Sequence, residues 1–261
     1  MTRAAGPKGP VGARMGRIDL YLAPHAVEKA PLEGLSVVVV DVLRSSTTIA
    51  WALRSGARTV IPVESVEGAT RLAHTLDPEA IVLCGERDGR KVGGFELGNS
   101  PREYTRERVE GKTLVFASTN ASPLMAQTLG GQEQRVLGYV NVGALADTLR
   151  RIGRDVAIVC AGRNGRFSLE DAACSGALAR RLVGMVPGLA LNDAAEMAAE
   201  YDRTHGHDVL GILERCEHGR YLAELGFEED LPVCAAVDDV PLVPLLREGR
   251  ITAESANSSP G

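Results

Sequence analysis

Cysteine is scarce and poorly spaced for cross-linking in this 261-residue chain: Cys84, Cys160, Cys174, Cys216 and Cys234 are odd in number, scattered, and never form CxxC. That excludes a disulfide framework and a zinc knuckle, and makes a reducing cytoplasm the expected setting. Positive charge is also short. At a net charge of -5, with a pI near 5.6, bulk electrostatics cannot attract nucleic acid, so any anionic ligand must be held by a local cluster of cations. No apolar run reaches signal-peptide or membrane-spanning length, which predicts a soluble protein without a membrane partner. His205, His207 and His218 lack HExxH spacing and sit in glycine-bearing, loop-like sequence, so they read as exposed surface residues. No repeat of solenoid period is present, and the sequence is compatible with a homo-oligomer without requiring one.

What is present is ordinary globular composition, 44% hydrophobic and 24% charged, arranged in alternating apolar segments. Strands are expected at Ile18–Leu22, Val37–Val40, Thr59–Val63, Ala80–Cys84, Lys112–Ala117, Val136–Val140 and Asp155–Ala161. Between them the rhythm becomes helical, at Val66–Leu76, Pro123–Leu129, Val142–Ile152 and Leu169–Val183. Strands alternating with helices in this way predict an α/β fold, a largely parallel or mixed sheet of successive βαβ units with helices on both faces. Beyond Pro187 the pattern loosens into helical patches at Asn192–Asp202, Val209–Cys216 and Tyr221–Leu225, then a short strand at Leu231–Val237. The expected organisation is a disordered extension over 1–16, one domain over 17–247, single or in two lobes, with a looser helical part from about 187, and a disordered tail over 248–261.

One stretch organises the rest. Val37–Val40 has no polar alternation, as suits a strand covered on both faces, and it delivers Asp41-Val42-Leu43-Arg44 followed by Ser45-Ser46-Thr47-Thr48 at the start of a helix. Open α/β sheets bind ligands at such carboxyl ends. Asp41 can hold a metal or attack phosphorus, Arg44 offers a planar fork for phosphate, and four successive hydroxyls exceed the single one that capping requires. Simple capping with an Asp41–Arg44 pair is the structural alternative.

Other strand ends carry similar chemistry. Gly85 to Pro101 is a long, charged, glycine-rich loop whose Glu86 and Arg87 follow a strand as Asp41 does. A solvated hairpin is its plainer interpretation. Ser118–Ser122 and Ala161–Gly165 are further polar turns after strands, and Ser168 with Asp171 nearly matches a capping box.

Taken in order, Asp41 to Thr48, Gly85-Glu86-Arg87, Gly98-Asn99-Ser100-Pro101, Ser118-Thr119-Asn120, Cys160-Ala161-Gly162 and Leu169-Glu170-Asp171 resemble the motifs of the 2-phosphosulfolactate phosphatase family, over roughly Ile18 to Leu245. The resemblance implies an α/β fold and magnesium-dependent hydrolysis of 2-phospho-3-sulfolactate to sulfolactate and phosphate, a step towards coenzyme M. One departure is visible. Where the family tends to carry Thr-Thr-Asn-Gly-Thr, this chain has Ser118-Thr119-Asn120-Ala121-Ser122, so a methyl at Ala121 is expected to affect recognition of the organic anion.

On this resemblance Asp41, Arg44 and Glu86 are the expected catalytic residues. Ser45, Ser46, Thr47, Thr48, Arg87, Asn99, Ser100, Thr119, Asn120 and Arg163 are expected to bind substrate, with Lys91 and Arg166 adding positive charge. Mg²⁺ would be held by Asp41 and by at least one of Glu86, Glu170 and Asp171, since magnesium favours one or two carboxylates plus water and phosphate. The expected partner is a small anionic phosphate ester. Haloacid-dehalogenase chemistry is disfavoured because Leu43 stands where a second aspartate is needed. Cys84 to Arg90 fits CxxxxxR, but Glu86 and Asp88 would repel phosphate from that loop. The rival from another class is a non-catalytic protein that senses a small organic anion on the same fold.

Overall fold

Four consecutive valines need cover on two sides, and every residue of the Ser36–Val40 strand is buried. The computed structural model describes residues 15–28, 30–128 and 133–254. The chain begins with β1 (Arg17–Tyr21), β2 (Ser36–Val40), α1 (Ser45–Arg54), β3 (Thr59–Val63), α2 (Val66–Ala73), β4 (Ile81–Arg87) and β5 (Arg90–Lys91). It continues through α3 (Arg106–Val109), β6 (Thr113–Ala117), α4 (Ala121–Gln127), β7 (Gln134–Leu137), α5 (Val142–Ile152), β8 (Val156–Cys160), α6 (Leu169–Met185) and β9 (Ala190–Leu191). A helical run follows, α7 (Asp193–His205), α8 (Val209–Arg215), α9 (Glu217–Glu224) and α10 (Asp230–Ala235), before β10 (Pro244–Arg247) and β11 (Arg250–Ala253).

The α/β expectation holds, with a mixed sheet of order β5-β4-β6-β3-β11-β10-β7-β2-β8-β1-β9. Two parallel sets, β4-β6-β3 and β7-β2-β8-β1-β9, flank the antiparallel hairpin β10–β11, which pairs with β7 on one side and β3 on the other. Three antiparallel junctions in succession reverse direction, so the two sets run opposite ways. β2 and β4 stand six places apart, which at about 4.8 Å per strand is roughly 30 Å in a flat sheet. Yet Asp41 beyond β2 and Glu86 in β4 line one cavity. The sheet is therefore strongly curled, as accumulated twist allows.

Alternation along the strands sorts the core. Val37, Val39, Val136 and Val159 share a buried cluster with Val60, Leu114 and Phe116 of the opposite set and with Ile49 and Leu124 of α1 and α4. The other face of the β2 set, including Val38, Val40, Ile18 and Ile158, packs on α5, α6, α7 and α8 through Leu149, Leu178, Ala198 and Ile212. The helices beyond Pro187 thus belong to this same core. α6 and α7 approach so closely that a side chain at Gly176 would run into the Ala198 carbonyl, and glycine alone fits there.

Three expectations change. Leu231–Val237 is not a strand: α10 occupies Asp230–Ala235, with Leu231 and Cys234 buried three residues apart on a helical face and Pro232 tolerated in the first turn. The tail expected from 248 instead supplies β11, whose Ile251 is fully buried and pairs with Val60. Glu248 and Gly249, both at positive φ, make the two-residue turn between β10 and β11. Residues 1–14 and 255–261, the remainder of the two expected disordered ends, lie outside the described residues, as does Leu129, but Met15 is buried in the core. No helix among the described residues is long and apolar enough to cross a membrane.

Candidate active site

The turn after β2 is built by its own backbone and hydroxyls. Asp41 N donates to Ser46 Oγ at 2.9 Å, and Ser46 N returns a bond to the Asp41 carbonyl at 2.8 Å. Thr47 Oγ1 donates to the Val42 carbonyl at 3.1 Å and Thr48 Oγ1 to the Asn99 carbonyl at 2.8 Å. Three of the four hydroxyls therefore hold main chain. Ser45 alone of the four faces the cavity, where its Oγ accepts from Asn99 Nδ2 at 3.3 Å.

Asp41 is 4% exposed and has no ion pair among the described residues. Its carboxylate accepts the Ser45 amide at 3.3 Å, a long bond for so buried a charge. Burial raises the carboxyl from an ordinary 3.8 to about 6; the charge of His218 and the bonds from Ser45 oppose the rise, and the charge of Glu86 adds to it. Around Asp41 the cavity is lined by Arg44, Ser45, Glu86, Asn99, Thr119, Asn120, Arg163 and His218.

Each wall has a mechanical reason. β4 and β5 close over the Asp88-Gly89 turn, both residues at positive φ, so the segment starts as a hairpin, but its tip lines the cavity instead of standing free in solvent. Glu86 holds that tip to the turn after β6: it accepts Thr119 N at 2.7 Å, Thr119 Oγ1 at 3.1 Å and Gly89 N at 2.8 Å. Asn120 Oδ1 accepts Asn164 N at 3.1 Å, which ties the turns after β6 and β8 together. Arg163 donates to Glu217 at 3.0 Å and lies 4.2 Å over the Tyr221 ring.

Arg44 is nearly inaccessible. It meets Asp230 at 2.6 Å, donates to the Gly89 carbonyl at 2.7 Å and stacks 4.2 Å over Phe227, while Asp230 also accepts Ser100 Oγ at 2.6 Å. Replacing Asp230 with alanine would strand a buried guanidinium, so Asp230→Ala should lower the unfolding free energy by about 3–5 kcal/mol. Chemical denaturation reads this directly, and a loss below about 1 kcal/mol, the size of a surface pair, would contradict the assignment.

Several expected site residues lie elsewhere. Asp171 does not reach the cavity as a metal ligand: Oδ1 accepts Val42 N at 2.8 Å and Oδ2 accepts Gly162 N at 3.0 Å, so it locks two turns together. Burial, reinforced by Glu170 and Asp41, pushes its carboxyl well above the usual range. Glu170 faces His218 Nδ1 at 3.2 Å instead of a shared metal position. Burial pushes Glu170 up, but the bond and charge of His218 outweigh it and leave the carboxyl below its ordinary value. Arg87 turns to the carbonyls of Glu86 and Glu64, Ser100 to Asp230, and Lys91 is exposed on β5. Ser46, Thr47 and Thr48 are spent on the backbone bonds above. Ala121 packs in the inner core with Leu124 and Met125, so its methyl does not touch the cavity. Cys84 is fully buried and its thiol is held far above the ordinary value, which removes the CxxxxxR alternative.

His218 and Asp230 are the residues that sequence reasoning missed. His218 is not an exposed surface residue: its side chain is 12% exposed and lines the cavity beside Asp41. A signal existed in the sequence, because extending the Tyr221–Leu225 helix backwards puts His218, Tyr221 and Leu222 on one face at i, i+3 and i+4, and all three line the cavity. Asp230 offered none.

A family model described as 2-phosphosulpholactate phosphatase matches residues 21–249. A "probable 2-phosphosulfolactate phosphatase" of Caldanaerobacter subterraneus subsp. tengcongensis is 34% identical over 232 residues, 89% of this chain and 96% of the relative. Proteins described in the same words are 37% identical from Thermotoga maritima, covering 89% of this chain and 96% of the relative, and 37% identical from Carboxydothermus hydrogenoformans, covering 92% and 98%.

Proposed function

Because the chain belongs to the 2-phosphosulfolactate phosphatase family, we propose that it hydrolyses a small organic phosphate monoester, 2-phospho-3-sulfolactate, to 3-sulfolactate and phosphate. The observation that carries this reading is Asp41, a buried carboxylate without an ion pair among the described residues, facing a cavity walled by Arg44, Glu86 and His218. Attack on phosphorus and coordination of a cation both need this group ionised. At neutral pH a carboxyl titrating at about 6 is ionised.

Magnesium dependence is part of the proposal. Asn99 Oδ1 is buried without a hydrogen-bond partner among the described residues and lines the same cavity as Asp41. Two such hard oxygens fit a magnesium ion that draws its other ligands from water and phosphate. Asp41 and Asn99 would hold the ion; no group of three or more His, Cys, Asp or Glu is placed to hold a metal among the described residues. When bound, it would supply neutralising charge to the phosphoryl oxygens.

The rest falls to the chain itself. Arg163, steered by Glu217 and Tyr221, is the cation of the cavity best placed to bind phosphoryl oxygens, since Arg44 is committed to Asp230. Glu86 keeps the Gly89 and Thr119 walls at a fixed separation. His218, oriented through Nδ1 by Glu170, gives the departing ester oxygen its proton from Nε2 as the P–O bond breaks, the phosphoryl group passing in the end to the oxygen of water, whose proton is released. Release of phosphate from 2-phospho-3-sulfolactate by the purified protein is the primary test, and no release with magnesium present would overturn the reading.

The proton-donor role predicts a dependence on the leaving group. His218→Asn should slow hydrolysis of an alkyl phosphate by about 10²–10⁴-fold. It should slow p-nitrophenyl phosphate far less, because that leaving group departs without a proton. Equal losses on both substrates would show that His218 only shapes the cavity. A cytoplasmic setting also belongs to the proposal, supported by five buried cysteines that form no disulfide.

A further inference from the structure

We infer that the open cavity beside the Asp41 chamber holds the non-reacting anionic end of the substrate, its carboxylate or sulfonate, an assignment that rests on the phosphatase reading above. The Asp41 chamber is the narrower of the two, with about 30 Å³ of free volume, so the three-carbon body of the ester must lie largely outside it. The neighbouring cavity has about 480 Å³ and shares Arg163, Asn164 and His218 with it. An ester whose phosphoryl group lies at Asp41 therefore extends past Arg163 into this second space.

The lining is suited to anions although the whole chain is acidic. Arg163, Arg166 and Arg215 face the cavity together with Glu170 and Glu217. Both acids are already committed, Glu170 to His218 and Glu217 to Arg163. Arg166 has no ion pair among the described residues, and Arg215 stands 4.0 Å from Asp208 while donating to Tyr201 Oη at 3.0 Å. The surplus is positive.

The turn after β8 adds an independent observation. Arg163 and Arg166 form an isolated antiparallel bridge, exchanging backbone bonds of 3.0 Å across Asn164 and Gly165, both at positive φ. Bridge partners project their side chains from the same face, and like charges placed directly opposite repel. The Arg166 carbonyl comes so close to Gly162 that any side chain there would collide with it, so the fold holds the two arginines in opposition. Glu217 offsets Arg163, which leaves Arg166 as the unpaired charge of the bridge to receive a carboxylate or sulfonate.

Calorimetric titration of wild type and of the double variant Arg166→Gln/Arg215→Gln tests this, with 3-sulfolactate and inorganic phosphate as separate probes. Both residues are exposed and neither lines the Asp41 chamber, so phosphate binding serves as the control for an intact fold. The double variant should bind 3-sulfolactate about 10- to 100-fold more weakly, the value of one charged hydrogen bond, and phosphate less than about fivefold more weakly, as for a screened surface charge. Unchanged 3-sulfolactate binding, or equal weakening of both probes, would overturn the assignment. If wild type binds 3-sulfolactate through these arginines yet releases phosphate from no ester, the subsite stands and the phosphatase reading falls.

Discussion

Asp41→Asn should abolish phosphate release, by about 10³-fold or more as for a group central to the chemistry, while making the metal-free protein more stable. The two effects have one origin. Moving the carboxyl from 3.8 to about 6 means that the folded state disfavours the ionised form by roughly 3 kcal/mol. The sign follows from linkage: the folded protein holds this proton more tightly than the unfolded chain. The group's stabilising contribution is therefore full below about pH 4 and is lost as pH rises through about 6. An amide keeps the shape and the bond from Ser45 N without the charge. At pH 7 the midpoint of thermal unfolding should rise by several degrees, since about 1 kcal/mol moves it by 2–4 °C in a domain of this size. Activity near wild type would remove Asp41 from the chemistry. Lost activity with unchanged or lower stability would mean that the buried charge is compensated in a way the described contacts do not show.

Chelation should act nearly as strongly. Removing divalent cations should lower turnover by about 10³-fold, the several kcal/mol of charge stabilisation that such an ion supplies, and magnesium should restore it. Because the donors assigned to the ion are carboxylate and amide oxygens, calcium and manganese should compete for the site more readily than soft, thiol-seeking metals. Turnover indifferent to chelator would leave the cavity's side chains to neutralise the phosphoryl group alone and would refute the Asp41–Asn99 assignment.

Much of the sheet was legible because its signal is local. Val37–Val40, Thr113–Ala117 and Val156–Cys160 are continuous apolar runs, each ending in a polar turn, and the helices between them carry their own period. β10 and β11 carry little such signal: each is four residues long, and only one Arg250–Ala253 side chain is buried. Short mixed segments take their conformation from the edges they pair with, here β7 and β3. At the site, Asp41, Thr119, Asn120 and Arg163 could be read because each follows a strand end, while Glu86, inside β4, and Asn99 stood out through the charged, glycine-rich segment that carries them. The hydroxyl run misled because the same groups serve capping and ligand binding, and composition cannot say which. His218 pairs with Glu170 across 48 residues and Asp230 with Arg44 across 186, separations at which a single polar residue leaves no periodic trace.

The hairpin between the two parallel sets also decides the order in which this molecule can be completed during synthesis. β3 and β7 find their second neighbours only in β11 and β10, which are translated after every other strand of the sheet. Until they emerge from the ribosome, a nascent chain presents two unpaired edges with free amide and carbonyl groups, each a template for pairing with another molecule. Closure of the sheet, and with it the approach of Glu86 to Asp41, is thus a late, long-range event and not a product of the βαβ units that form first.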